Sequence, residues 1–371
     1  MKIQYKLKLN LAEDWANHEL ILKPNDFLWF HQRFCTPDQL LDGNWQLYCL
    51  SPLHAYFIWM PNGLEVYHAR SSGLVYVALF QKAENVARVS IDTFIDFFGA
   101  LETTERYLYL WGLARCGSTL LTSMLDIKHH TFAISEPFAF SDLSALYQRS
   151  IWFESYLDKV FVASVKAMAK NIPTDQLAVF KPQPKSAAIM PTVDRLFPKA
   201  HHICLLRGDM LAALASNERM HYSMNYDRMV TVHRYLPKLL NHWFRMEMGP
   251  AADKINIKGG NFEISAAKLA LQLKNCLDNQ NMFDLPPFTY EQLVEQPDRT
   301  LSPVLKVCQI PAECIEEVKK PLELDSQQMT PLNRARMKKS AVTKIDHQSK
   351  EVLANIAENL GLRRDAFELK Y

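Results

Sequence analysis

The sequence predicts an α/β fold: a P-loop-type, mostly parallel sheet flanked by helices, preceded by a smaller β-rich domain. Three observations predict it. Short aromatic and β-branched runs crowd the first hundred residues. Beyond them, strands alternate with longer helical patterns, the rhythm of a parallel sheet covered on both faces. The first strand of that second region then runs into GLARCGSTLL, Gly112 to Leu121, a glycine-flanked strand-to-helix turn.

In the first region, NWQLYCL, HAYFIWM, LEVYHA and LVYVALF read as strands. Asn62-Gly63 is a strong hairpin signal, and RSSGL is a second turn. A meander of three or four antiparallel strands follows from them. Four of the seven tryptophans, Trp15, Trp29, Trp45 and Trp59, lie here. They are expected to fill the core of this unit; the alternative is an acceptor-binding surface made of aromatic faces. FFGALETTER changes the texture, so the boundary falls near residue 100, giving units 1–100 and 101–371.

In the second region RYLYLWGL, QLAVFKP and HHICLLR read as strands. GSTLLTSMLDI, KSAAIMPTVDRLF and DMLAALASNERM read as the helices that follow them. DRMVTVHRYLPKLLNHWFRMEM and SAAKLALQLKNCLDNQNMF are long amphipathic helices expected to cover the sheet.

Bulk properties set limits. A length of 371 residues suggests two domains, and 48% hydrophobic residues supply a substantial core. A net charge of +2 gives no bulk electrostatic case for nucleic acid. Seven cysteines without a C-x-x-C pair point to reduced thiols rather than a disulfide framework or zinc site. The N-terminus lacks the apolar core of a signal peptide, and no apolar run is long enough to span a bilayer. A soluble cytoplasmic protein is expected, with its oligomeric state unread.

The turn after the first parallel strand has specific physics. Backbone N–H groups converge where the helix begins, and the positive end of the helix dipole faces the same point. Ser118 and Thr119 add hydroxyls, and Arg115 adds a fixed charge with several donors. The lysine that ATPases place after the second glycine is replaced by Ser118. The neighbouring strands end in Lys181 and Arg207, and Asp209 is the one weak acidic metal ligand nearby. Cationic strand ends suit an anionic ligand held without metal.

This turn, taken with FPKAHHICLLRGDMLAALASNERM, resembles the sulfotransferases that use 3′-phosphoadenosine 5′-phosphosulfate (PAPS). AVFKPQPKSAAIMPTVDRLFPKAHHICLLRGD is similar to the family's K-x-P, helix, F-P-x-A, strand, R run. FTYEQLVEQPDRTLSPVLKVCQI is similar to its Y-E-x-L-x-x-x-P segment. The resemblance covers about residues 106 to 315. Three features depart from the family: Cys116 replaces a small hydroxyl residue, Gly208-Asp209 replaces Asp-Pro, and Ser216 follows Arg207 by nine residues rather than eight.

The resemblance implies PAPS as co-substrate, 3′-phosphoadenosine 5′-phosphate (PAP) as product, and no metal. It implies that Arg115, Cys116, Gly117, Ser118, Thr119 and Leu120 hold the 5′-phosphosulfate. Arg207 and Ser216 would hold the 3′-phosphate, with Asn217 as the alternative to Ser216. Glu136, in an E-P segment, would be the general base, and Arg115 and Lys181 would stabilise the transferring group. Arg334, in the basic tail PLNRARMKKSAVTKI, would reach over the nucleotide. On chemistry alone His129 and His130 are alternative bases. The acceptor is a small molecule, carbohydrate or lipid. Two rival functions remain open: a P-loop phosphotransferase using ATP or GTP with magnesium on Asp209, and a non-catalytic module on a nucleotide-binding fold.

Overall fold

The computed structural model describes residues 2–6, 27–61, 79–80, 82–149, 152–223, 253–255, 261–324 and 344–368. The first antiparallel sheet is built from β1 (Lys2–Lys6), β2 (Phe27–Phe30), β3 (Trp45–Leu50), β4 (His54–Trp59) and β5 (Asn85–Ser90), in the order β2-β1-β5-β4-β3. β3 and β4 form a hairpin running from Trp45↔Trp59 to Leu50↔Ala55. The run LEVYHA, the Asn62-Gly63 turn, Trp15 and the first five residues of LVYVALF lie outside the described residues. The last two residues of LVYVALF, Leu79 and Phe80, are buried and helical rather than part of the expected strand. The strand beside β4 is β5, a segment the sequence reading did not single out.

Helix α1 (Ile91–Gly99) closes this sheet. Its N-cap Ser90 accepts a hydrogen bond from Thr93 N–H, and it buries Ile91, Phe94 and Phe98. Phe98 stacks on Phe57 with centroids 5.1 Å apart. Trp29 and Trp45 pack partly buried against the core, as filling side chains would.

The second sheet is parallel throughout. β6 (Tyr107–Gly112) lies at its centre, with β7 (Thr131–Ser135), β8 (Leu177–Lys181), β9 (His201–Leu206) and β10 (Phe288–Thr289) in the order β10-β9-β6-β8-β7. Every residue of β6, β7 and β8 is buried, which is why these strands read as continuous apolar runs rather than alternating ones. The covering helices are α2 (Ser118–Met124), α3 (Ala139–Arg149), α4 (Glu154–Ala169), α5 (Met190–Leu196), α6 (Met210–Ser223), α7 (Asn261–Asp278), α8 (Tyr290–Glu295), α9 (Pro297–Val307), α10 (Ile315–Lys319) and α11 (His347–Asn359). KSAAIMPTVDRLF divides in two: Pro184–Ile189 is 3₁₀, and α5 begins only beyond it, with proline in its first turn. The segment DRMVTVHRYLPKLLNHWFRMEM lies outside the described residues. Among the described residues no helix is long and apolar enough to cross a membrane.

Several contacts cross the boundary near residue 100. α1 packs along α4. Leu50 N–H donates to Asp142 Oδ2 at 2.8 Å, and Lys166 Nζ donates to the Gly99 carbonyl at 2.8 Å. Asn171 Nδ2 donates to the Leu41 carbonyl at 3.1 Å, and Lys170 Nζ donates to that of Trp45.

Strand register fixes where the site lies. Ser135 pairs with Lys181, and Gly112 pairs with Leu205. The carboxyl ends of β6, β7, β8 and β9 therefore finish level. The chain leaves β6 for the β7–β8 side and later returns to the β9–β10 side. Such a change of direction opens a crevice at the strand ends, the common ligand position in open α/β sheets.

Candidate functional site

The turn after β6 is tightly determined. A Cβ on Gly112 would stand 2.5 Å from the Leu205 carbonyl oxygen, so only glycine lets the two strands meet there. Arg115 (φ 65°) and Gly117 (φ 88°) both adopt the left-handed conformation. For an arginine that conformation is costly, and surrounding structure must hold it. A Cβ on Gly117 would meet the Tyr290 ring at 2.3 Å.

Each residue of the turn has a definite place. Ala114 N–H donates to Gln272 Oε1 at 2.7 Å, tying the turn to α7. Cys116 is fully buried, and its N–H donates to the Leu113 carbonyl at 3.3 Å. Burial pushes its thiol pKa up, while hydrogen bonds from Ser118 and the Lys181 charge pull it partly back. Cys116 thus serves the interior of the turn, and the Leu120 side chain is buried as well. The first main-chain bond of α2 is Leu121 N–H to the Gly117 carbonyl. The Thr119 and Leu120 amides precede it and have no acceptor within the helix. α2 has seven residues, so its dipole is short and the charge of Arg115 carries more weight.

Three contacts gather the strand ends. Arg115 Nε donates to Ser216 Oγ at 3.1 Å, joining two segments 101 residues apart. Lys181, at the end of β8 and 2% exposed, forms an ion pair with Glu136 Oε1. Its Nζ also lies 3.4 Å from Thr119 Oγ1. Glu136 is itself left-handed (φ 52°), and its N–H donates to the Lys181 carbonyl at 2.7 Å. Main chain and side chain together hold this carboxylate in place. Its Oε2 has no partner among the described residues.

Arg207 follows β9. Its Nε is 3.0 Å from Glu291 Oε1, a charge contact off the line of a hydrogen bond. Its guanidinium carbon lies 4.4 Å from the centre of the Tyr290 ring. Glu291 Oε2 accepts Gly208 N–H at 2.7 Å. One turn of α6 adds surplus donors: Asn217 Nδ2 and Arg219 Nε are buried and unpartnered among the described residues. Buried donors without acceptors are costly. They fit an acceptor-rich ligand such as a phosphate.

The structure therefore brings together Arg115, Thr119, Glu136, Lys181 and Ser216, with Arg207 on the neighbouring strand. Arg334 lies outside the described residues. Asp209 Oδ1 accepts Ala212 N–H at 2.8 Å and so caps the start of α6. His129 and His130 precede β7, at the opposite end of the strand from Glu136. Five strand residues separate them from the crevice by about 16 Å, which removes both as bases. Tyr290, Glu291 and Gln272 were not found by sequence reasoning. The Y-E pair within FTYEQLVEQPD was the available signal, though its meaning depends on contact with Arg207.

No protein-family profile matches the chain. No curated protein matches it. Similar solved structures include the sulfotransferase domain from the curacin biosynthetic pathway, with TM-score 0.38, 14% identity, and 71% of this chain covered against 99% of that one. The sulfotransferase domain from the Synechococcus PCC 7002 olefin synthase gives 0.37 and 15%, covering 70% and 96%. A sulfotransferase from Alicyclobacillus acidocaldarius gives 0.39 and 11%, covering 73% and 98%.

Proposed function

We propose that this chain transfers a sulfuryl group from PAPS to a hydroxyl or amine acceptor by in-line displacement. The observation that carries the reading is the Arg115–Ser216 hydrogen bond. Two segments chosen for opposite ends of one nucleotide meet side chain to side chain. The surplus donors on α6 support it too, since a 3′-phosphate would supply the acceptors they lack.

On this reading Arg115 and the first amides of α2 hold the 5′-phosphosulfate, and Arg207 with Ser216 holds the 3′-phosphate. The acceptor oxygen or nitrogen attacks sulfur, forming one bond as the bond from sulfur to the bridging phosphate oxygen breaks. Glu136 Oε2 takes the acceptor proton, since Oε1 is held by Lys181. Lys181 lies between the base and the loop, beside Thr119, where it meets charge developing on the transferring group. The leaving phosphate is met by Arg115 and the loop amides. No step needs a metal. The acceptor is a small molecule, carbohydrate or lipid, and the reaction suits a soluble cytoplasmic enzyme.

Melting temperature with PAP, with ATP and magnesium, and with neither tests the reading. PAP should raise the melting temperature progressively; at a hundredfold excess over Kd the stabilisation is about 2.7 kcal/mol. A rise with ATP and magnesium alone would favour the phosphotransferase. No rise with either would favour the non-catalytic module.

A further inference from the structure

We propose that Glu291 is a positioning residue for Arg207: it fixes the guanidinium so that its outer edge faces a phosphate. This rests on the nucleotide reading above. An arginine free to rotate about its long side chain surrenders rotamer entropy on binding. Arg207 is restrained before any ligand arrives. Tyr290 lies against its guanidinium, and Glu291 Oε1 engages its Nε.

Glu291 is anchored in turn. Its second oxygen takes Gly208 N–H, from the residue after Arg207 itself. It belongs to the first turn of α8, whose start is set by a reciprocal cap between Thr289 and Gln292. Thr289 pairs in parallel register with Leu206, so the sheet places Arg207 and Glu291 side by side. The nearest approach of the carboxylate is to Nε. Nη1 and Nη2 make no hydrogen bond to a described residue. They are the pair of donors that makes two parallel bonds to a phosphate. A carboxylate occupying the phosphate's own place would engage that edge instead.

The test is calorimetric binding of PAP and of 5′-AMP, which lacks the 3′-phosphate, with melting temperatures alongside. The proteins are wild type, Glu291→Gln, Arg207→Ala and the double variant. Glutamine keeps an oxygen for Gly208 N–H and removes the charge that holds Nε. Glu291→Gln should weaken PAP by about five- to tenfold and leave 5′-AMP unchanged, the size of a coupled pair. In the Arg207→Ala background it should add nothing. Tighter PAP binding would make Glu291 a competing counter-ion and overturn the proposal. Equal losses for both ligands, or none, would overturn it while leaving the nucleotide reading intact. If wild type binds 5′-AMP but not PAP, the sulfuryl-transfer reading and this proposal both fall. No nucleotide binding by wild type overturns both.

Discussion

The Lys181 side chain is 2% exposed and its ammonium group meets Glu136 and Thr119, so the proposed general base and the protein's stability share one contact. Removing one partner of a buried ion pair costs about 3–5 kcal/mol, because the other charge is left uncompensated. Glu136→Gln should therefore lower both turnover, by about 10²–10⁴-fold, and the melting temperature. Pairing it with Lys181→Met removes both charges. The double variant should regain much of the melting temperature while turnover stays low. Recovery of turnover would remove Glu136 from the role of base. Arg115 in the turn and Lys181 at a strand end could be picked out from the residues themselves, whereas Ser216 and Glu136 came from the family resemblance. The structure shows Arg115 meeting Ser216 and Lys181 meeting Glu136, and their roles are proposals. Glu291 was not legible, since its part depends on an arginine distant in the chain. Cys116 was legible as part of the turn, but not as a residue facing the interior.

Among elements, the turn between β6 and α2 is constrained by both backbone and neighbours at Gly112 and Gly117. Gly117→Ala adds a Cβ in a left-handed conformation and 2.3 Å from Tyr290. It should cost at least about 2 kcal/mol in urea unfolding. Tyr290→Ala in that background should recover the steric part and leave the backbone part. An additive loss would place the clash elsewhere. β6, β8 and β9 were legible because buried strands bounded by turn residues carry dense apolar runs. β7 is five residues between His130 and Glu136, too short a run for periodicity to separate from a helical segment. β10 is two residues, defined by its pairing with β9 rather than by composition.

For the whole molecule, the boundary near residue 100 remains a proposal about folding units, and Lys170 is one of the side chains that reach across it. Burial lowers its pKa to about 7, against the opposing pull of Asp42. Below pH 7 both folded and unfolded chains carry this proton, and the cost of burying the charge is fully present. From pH 7 towards 10.5, the unfolded value, the unfolded chain holds the proton that the folded chain has lost. The contribution of Lys170 to stability therefore rises with pH across that window. Lys170→Met should flatten this rise in urea unfolding measured at pH 7, 8 and 9. An unchanged slope would show that the amine reaches water. The order of the parallel strands was not legible, since the sequence marks strands one at a time and their neighbours follow from how the chain crosses over the sheet.

The hydrogen bond from Gly208 to Glu291 also sets a clock. It spans 83 residues, so the crevice is incomplete when β9 leaves the ribosome. At about 5–20 residues per second, about 4–17 s of synthesis separate Arg207 from its carboxylate. During that interval the exposed edge of β9 and the Arg207 guanidinium face awaiting Tyr290 are available to other chains. β10, the last strand among the described residues, is short, but it covers the edge of β9 beside the proposed ligand crevice. A translational pause between these segments would prolong that exposure, with aggregation during synthesis as its cost.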